Sequence, residues 1–117
     1  MKNTVEEYCL SKKGAGKEYP FGPDPAVFKV GGKMFGLLFQ EHGADPRLNL
    51  KCDPVIAENL REQNRDILPG YHMNKKHWNT ILLNGSLSEP DVFDMIDHSY
   101  DLVVKSLPKR LRDELIG

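Results

Sequence analysis

The spacing of apolar residues changes period several times along the chain, and each change predicts an element. Val5, Tyr8 and Cys9 share a helical face just after Thr4 and Glu7, which have the T-x-x-E spacing of a capping box. Lys12, Lys13 and Gly14 supply a cationic last turn and a stop, and Ala15 to Lys17 form a linker. Tyr19 and Phe21 around Pro20 predict a short edge strand, the place where a sheet tolerates proline. Ala26 to Val30 and Lys33 to Phe39 predict a hairpin closed by Gly31-Gly32, because tight primed turns need positive φ. After a loop from Glu41 to Pro46, the alternation from Arg47 to Lys51 turns Leu48 and Leu50 inward. It turns Arg47, Asn49 and Lys51 toward water.

Asp53-Pro54 has the form of a helix start, with Asp as cap and Pro at the first helical position. Val55, Ile56, Leu60 and later Ile67 and Leu68 give that helix an apolar side, until Pro69-Gly70 breaks it. The next segment predicts one strand or a short hairpin ending at the Asn84-Gly85 turn. Within it Trp78 shares a face with Thr80 and Leu82, while His77, Asn79 and Ile81 point the other way. Ser88 caps a long helix whose Val92, Phe93, Ile96, Tyr100, Val103, Val104 and Leu107 follow the helical period, and Pro108 opens a short terminal helix. The expected fold class is α+β: an antiparallel sheet of about five strands with helices on one face, an N-terminal helix and two C-terminal helices. The other face of such a sheet is expected to be wet.

The chain's 117 residues suit a single domain over 1–117, with 39% hydrophobic and 28% charged residues as in an ordinary globular protein. Its formal net charge of −1 excludes a global basic field, so attraction to an anion must be local. Cys9 and Cys52 read as reduced core thiols. The opening MKNTVEEYCL has no apolar leader pattern and no membrane span follows, so a cytoplasmic protein is expected.

Local charge changes the picture. Between Asp66 and Glu89 the chain carries no acid, while YHMNKKHWN packs His72, Lys75, Lys76 and His77 around the single Trp. Lys29 and Lys33 flank the Gly-Gly turn, and Arg47, Asn49 and Lys51 alternate along a strand. Strand-borne cations beside amides suit phosphate contact and base-edge reading, although exposed strand cations also serve simply to solubilise an edge. Glu89, Asp91, Asp94, Asp97 and Asp101 make the long helix acidic, which suits the helix dipole or a hard cation. His72 and His77 lack the further converging ligands of a zinc site, and Cys52 at a helix entrance has no nucleophile signature. Gly31-Gly32-Lys33 lacks the spacing of a phosphate loop and precedes a strand. No catalytic residue, metal or cofactor is therefore expected.

The runs PFGPDPAVFKVGGKMFGLL, LNLKCDP, LPGYHMNKKHWNTILLNGS and DHSYDLVVKSLPKRLRDEL occur in the order found in a known group. Together they resemble the bacterial MmcQ/YjbR family, with HMNKKHWN the most specific stretch. The resemblance implies a compact α+β fold similar to the frataxin (CyaY-like) and secretion-chaperone groups, in a double-wing arrangement described as DNA-binding. On this basis the chain is expected to be a monomeric, non-enzymatic protein that contacts duplex DNA through a cationic sheet and hairpin. The candidate contacts are Lys29, Lys33, Arg47, Asn49, Lys51, His72, Asn74, Lys75, Lys76 and His77. With about five or six phosphates neutralised, binding should weaken by orders of magnitude as salt rises. The alternatives are a chaperone-like protein-interaction module, marked by an exposed apolar patch, and frataxin-like cation binding by the acidic helix.

Overall fold

The computed structural model describes residues 2–40 and 45–116. Helix α1 (Lys2–Ser11) precedes strands β1 (Gly16–Glu18), β2 (Ala26–Val30), β3 (Lys33–Phe39) and β4 (Arg47–Lys51). Helix α2 (Pro54–Gln63), strands β5 (Ile67–Pro69) and β6 (Trp78–Leu82), and helices α3 (Glu89–Lys105) and α4 (Lys109–Ile116) complete the chain. The strands form one sheet in the order β1-β2-β3-β4-β6-β5, and every neighbouring pair is antiparallel. The α+β class is as expected, with six strands in place of about five.

Several predicted boundaries rest on chemistry that the structure displays. Gly31 and Gly32 take φ of 58° and 81° at the β2–β3 turn. The Asp53 side chain accepts from the N–H groups of Val55 and Ile56 at 3.0 and 3.2 Å, with Pro54 opening α2. Ser88 accepts from the Asp91 N–H at 3.3 Å and caps α3.

Other expectations are corrected. Helix α1 is already formed at Lys2, so Thr4 is not its cap; the Thr4 hydroxyl donates to the Glu89 carboxylate and ties α1 to the start of α3. The edge strand lies at Gly16–Glu18, and Tyr19 and Phe21 stand exposed beyond it. Helix α2 stops at Gln63 because Asn64 leaves the helical region, and Ile67 and Leu68 belong to β5, an additional strand paired to β6. Val55 and Ile56 are exposed. The expected loop from Glu41 to Pro46 lies mostly outside the described residues.

The four helices share one side of the sheet. Ala26, Phe28, Phe35, Leu38, Leu48 and Ile81 point from the strands into a core with Val5, Val92, Ile96 and Val103. A polar bolt crosses this layer: buried Ser99 of α3 accepts from the Lys51 N–H at 2.9 Å and donates to the Phe35 carbonyl at 2.6 Å. Those two backbone groups lie just where the β3–β4 pairing ends at Gly36 and Leu50.

The opposite face is not wet. Val27, Leu37 and Trp78 form a second buried cluster there, joined by half-buried Met34, Phe39 and Met73. Sequence reasoning could have found it. AVFKV and KMFGLLF are nearly continuous apolar runs, and a strand buried on one side only would alternate.

Candidate functional site

The second face is closed by the segment 70–77 that leads into β6. Gly70 is the tight point: its N–H donates to the Trp78 carbonyl at 2.9 Å, and a Cβ there would lie 2.7 Å from the Trp78 Cβ. Beyond it, a ring of hydrogen bonds pins the segment to the sheet. The Tyr71 N–H donates to the Thr80 hydroxyl at 2.8 Å, and that hydroxyl donates to Asn49 Oδ1 at 2.6 Å. Asn49 Nδ2 then donates to the Tyr71 carbonyl at 2.9 Å. Asn49 and Thr80 sit opposite each other in the β4–β6 register and are fully buried. Burial of an amide and a hydroxyl is tolerated because each finds partners.

The rest of the segment is fastened as firmly. Asn74 Oδ1 accepts from the Lys76 N–H at 2.9 Å, an Asx turn that brings the His77 N–H to the Asn74 carbonyl at 3.1 Å. The His77 carbonyl accepts from the Cys52 N–H at 2.8 Å. On the helix side Arg61 donates to Asn79 Oδ1 at 2.7 Å and to the Lys75 carbonyl at 3.4 Å, while Asn79 Nδ2 reaches the Ala57 carbonyl at 3.4 Å. Asn79 therefore anchors α2, and the Asn side chains in this signature do structural work.

The register sorts the ten candidate contacts. Lys51 is paired with Trp78, and Lys29 and Lys33 lie at the β2–β3 turn, so these three and residues 75–77 share one end of the sheet. Arg47, opposite Phe39 and Leu82, belongs to the other end. Asn49 is removed from the set by burial, which corrects the expectation that it faces water. Lys29 pairs with Glu18 at 3.0 Å. Lys33 donates to the Ser106 carbonyl and hydroxyl at 3.3 and 3.2 Å, at the negative end of the α3 dipole. Lys75 Nζ donates to the Gly70 carbonyl at 3.3 Å. His72, Asn74 and Lys76 are exposed, and Lys51 and His77 are half-buried.

Between segment 70–77 and the chain before β2 lies a recess of about 270 Å³. Pro25, Met34, Leu37 and Phe39 make its floor, Phe21 one wall, and His72 and Met73 the other. Tyr71 and Phe39 meet edge to face with centroids 6.1 Å apart, and the His72 ring lies 3.9 Å from that of Tyr71. His72 has φ of 58°, in the left-handed region that residues with a Cβ seldom adopt and that His enters more readily than most.

The remaining chemistry-bearing groups are accounted for. Burial pushes the Cys9 thiol up to about 12, helped by the Glu6 charge. Burial, with the Asp53 charge, pushes Cys52 up to about 11, so the entrance to α2 does not activate it. On the acidic helix, Asp97 is paired with Lys12 and accepts from the Tyr8 hydroxyl at 2.7 Å. That hydrogen bond is the main reason the Tyr8 pKa is raised. Among the described residues no three His, Cys, Asp or Glu side chains gather as a metal site. Among them, too, no helix is long and apolar enough to cross a membrane.

The fold built from these elements recurs in other chains. A family model described as YjbR matches residues 10–102. This chain belongs to the YjbR family. It is 34% identical to the uncharacterised Escherichia coli (strain K12) protein YjbR over 110 residues, covering 94% of this chain and 92% of that protein. It is 45% identical to the uncharacterised protein YbdF of Escherichia coli O157:H7 over 92 residues, 79% of this chain and 75% of that one. The crystal structure of the Deinococcus radiodurans protein DR2400, of the domain family DUF419, superposes with a TM-score of 0.88 at 34% identity. That match covers 97% of this chain and 86% of the other. The YjbR resemblance read from the sequence is thus borne out. The relatives' names carry no reaction or ligand, so function has to be argued from the geometry.

Proposed function

We propose that this YjbR-family protein is a non-enzymatic nucleic-acid-binding protein that contacts duplex DNA through the cationic end of its sheet. The observation that carries the reading is the strand register, which gathers Lys29, Lys33, Lys51, Lys75, Lys76 and His77 at one end. Acids concentrate on α3, on the far side of the sheet, so a polyanion is drawn to the strand end and repelled from the helix. Lys29 is paired with Glu18 and Lys33 makes two bonds to Ser106, whereas exposed Lys75 makes a single bond to the Gly70 carbonyl that it can exchange for a phosphate. The phosphate contacts therefore fall to Lys51, Lys75 and Lys76. His72, Asn74 and His77 lie beside them.

The affinity of such a surface has a defined signature. Three neutralised phosphates imply a log–log salt slope near −2.7 and roughly a 40-fold loss between 50 and 200 mM salt. Fluorescence anisotropy with a labelled duplex tests this. Replacing Lys75 and Lys76 by Glu should weaken binding to all sequences equally, with the slope shallower by about one per lost contact. Unchanged binding, or affinity indifferent to salt, would remove the reading.

A further inference from the structure

The recess over β3 is not used by that reading, and it has its own chemistry. Its floor is hydrocarbon and thioether, and among the described residues the His72 ring is the one ionisable side chain in its lining. A charged or strongly hydrated group has no partner inside, so the part of a ligand that enters must be apolar. The recess follows β3 from Met34 to Phe39, roughly 16 Å at strand rise, the reach of a short extended segment. Aromatic side chains stand at its borders: Phe21 is 64% exposed and Tyr71 47% exposed. The Tyr71 ring, already packed against Phe39 and His72, loses little freedom when a partner covers it.

The charge around the recess selects the partner. Arg47 is exposed and lies opposite Phe39 on the same face, at one mouth. Lys51 and the Lys75–Lys76 pair lie toward the other. Of the acids described near this face, Glu18 holds Lys29 and Asp24 Oδ1 accepts from the Gln40 N–H at 2.8 Å, while exposed Asp45 stands two residues before Arg47. Glu89, Asp91, Asp94, Asp97 and Asp101 all belong to α3, beyond the sheet.

We propose that this recess is a docking site for a segment of a partner protein that inserts one large apolar side chain, with acidic residues on either side of it. Tyr71, tied through its N–H to Thr80 and through its carbonyl to Asn49, holds the wall of His72 and Met73 in place before the partner arrives, so docking needs little rearrangement. The recess borrows Lys51, Lys75 and Lys76 from the cationic end, but its apolar lining is its own. Loss of the anchor contact and loss of duplex binding are therefore separable.

Amide NMR titration with synthetic peptides tests the proposal. Each carries a single Phe, Trp, Leu or Met flanked by Glu and Asp; one control replaces the anchor with Ala, and another replaces the acids with Lys. At least one anchored acidic peptide should shift Leu37, Phe39, His72 and Met73, and both controls should bind about tenfold weaker or worse. Phe21→Ser, at an exposed position, should abolish the shifts while the melting temperature stays unchanged, and Arg47→Glu should weaken them several-fold. The proposal is overturned if no anchored peptide shifts those residues, or if the Ala control binds equally. It is also overturned if the same residues shift with protein concentration alone, which gives the recess to a second copy. Shifts of Leu37 and Phe39 on adding duplex DNA alone would give it to nucleic acid.

Discussion

The two faces of the sheet are both buried, but by different means. The helix side is closed by an apolar layer in which α3 runs across β2, β3 and β4. The loop side is closed by eight residues held by a ring of polar side chains, with Val27, Leu37 and Trp78 beneath. Apolar burial is non-directional and scales with area, so the helix face supplies the bulk of the stability. A hydrogen-bonded ring adds less but fixes position, because each member is costly to leave unpaired. A stable layer thus carries a precisely positioned one.

This contrast can be broken from either side. The largest effect is expected at Phe35, fully buried and in edge-to-face contact with Tyr100 at 5.5 Å. Phe35→Ala should cost about 3–5 kcal/mol in denaturant unfolding, with every probe reporting the same midpoint. Asn49→Ala should cost less, about 1–3 kcal/mol, because it strands the Thr80 hydroxyl and the Tyr71 carbonyl. Its distinctive mark is local: hydrogen exchange at Tyr71 to His77 should accelerate more than exchange in β3. If the two variants loosen the whole molecule alike, the faces form a single unit and the contrast fails.

The smallest expected effect concerns the turn that follows β6. Asp66 accepts from the Ser86 N–H and hydroxyl, both at 2.7 Å, and the N–H is the main reason its carboxyl lies below the usual range. A carboxyl depressed in the folded state stabilises above its unfolded pKa, and the contribution is lost as pH falls through the folded value. Acid titration should therefore release the Ser86 amide signal at a pH below that of an ordinary Asp, with little change in global stability. Asp66→Asn should leave that signal flat through the same range.

Much of the architecture was legible in the sequence because its signals are local. Gly31-Gly32, Asp53-Pro54 and Ser88 each act within a few residues, and all three mark boundaries in the structure. The misplacements came from tertiary choices. Ile67 and Leu68 continue the apolar side of α2 on paper, but pairing with β6 satisfies their backbone and makes a sixth strand. Asn49 looks like a solvent position by alternation until segment 70–77, more than twenty residues later, arrives to cover it. The candidate site was legible as a set of residue types; its division into a cationic end, a buried amide and a distant Arg47 required the register.

The outermost strands carry a last consequence. β1 and β5 have three residues each, the first with Lys17 and Glu18, the second ending in Pro69. Both borders of the sheet are thus too short, and at one side too poor in N–H groups, to recruit another strand. Growth into ribbons or fibres by strand addition is disfavoured at both borders. Concentrated solutions should stay clear as long as the six strands hold together.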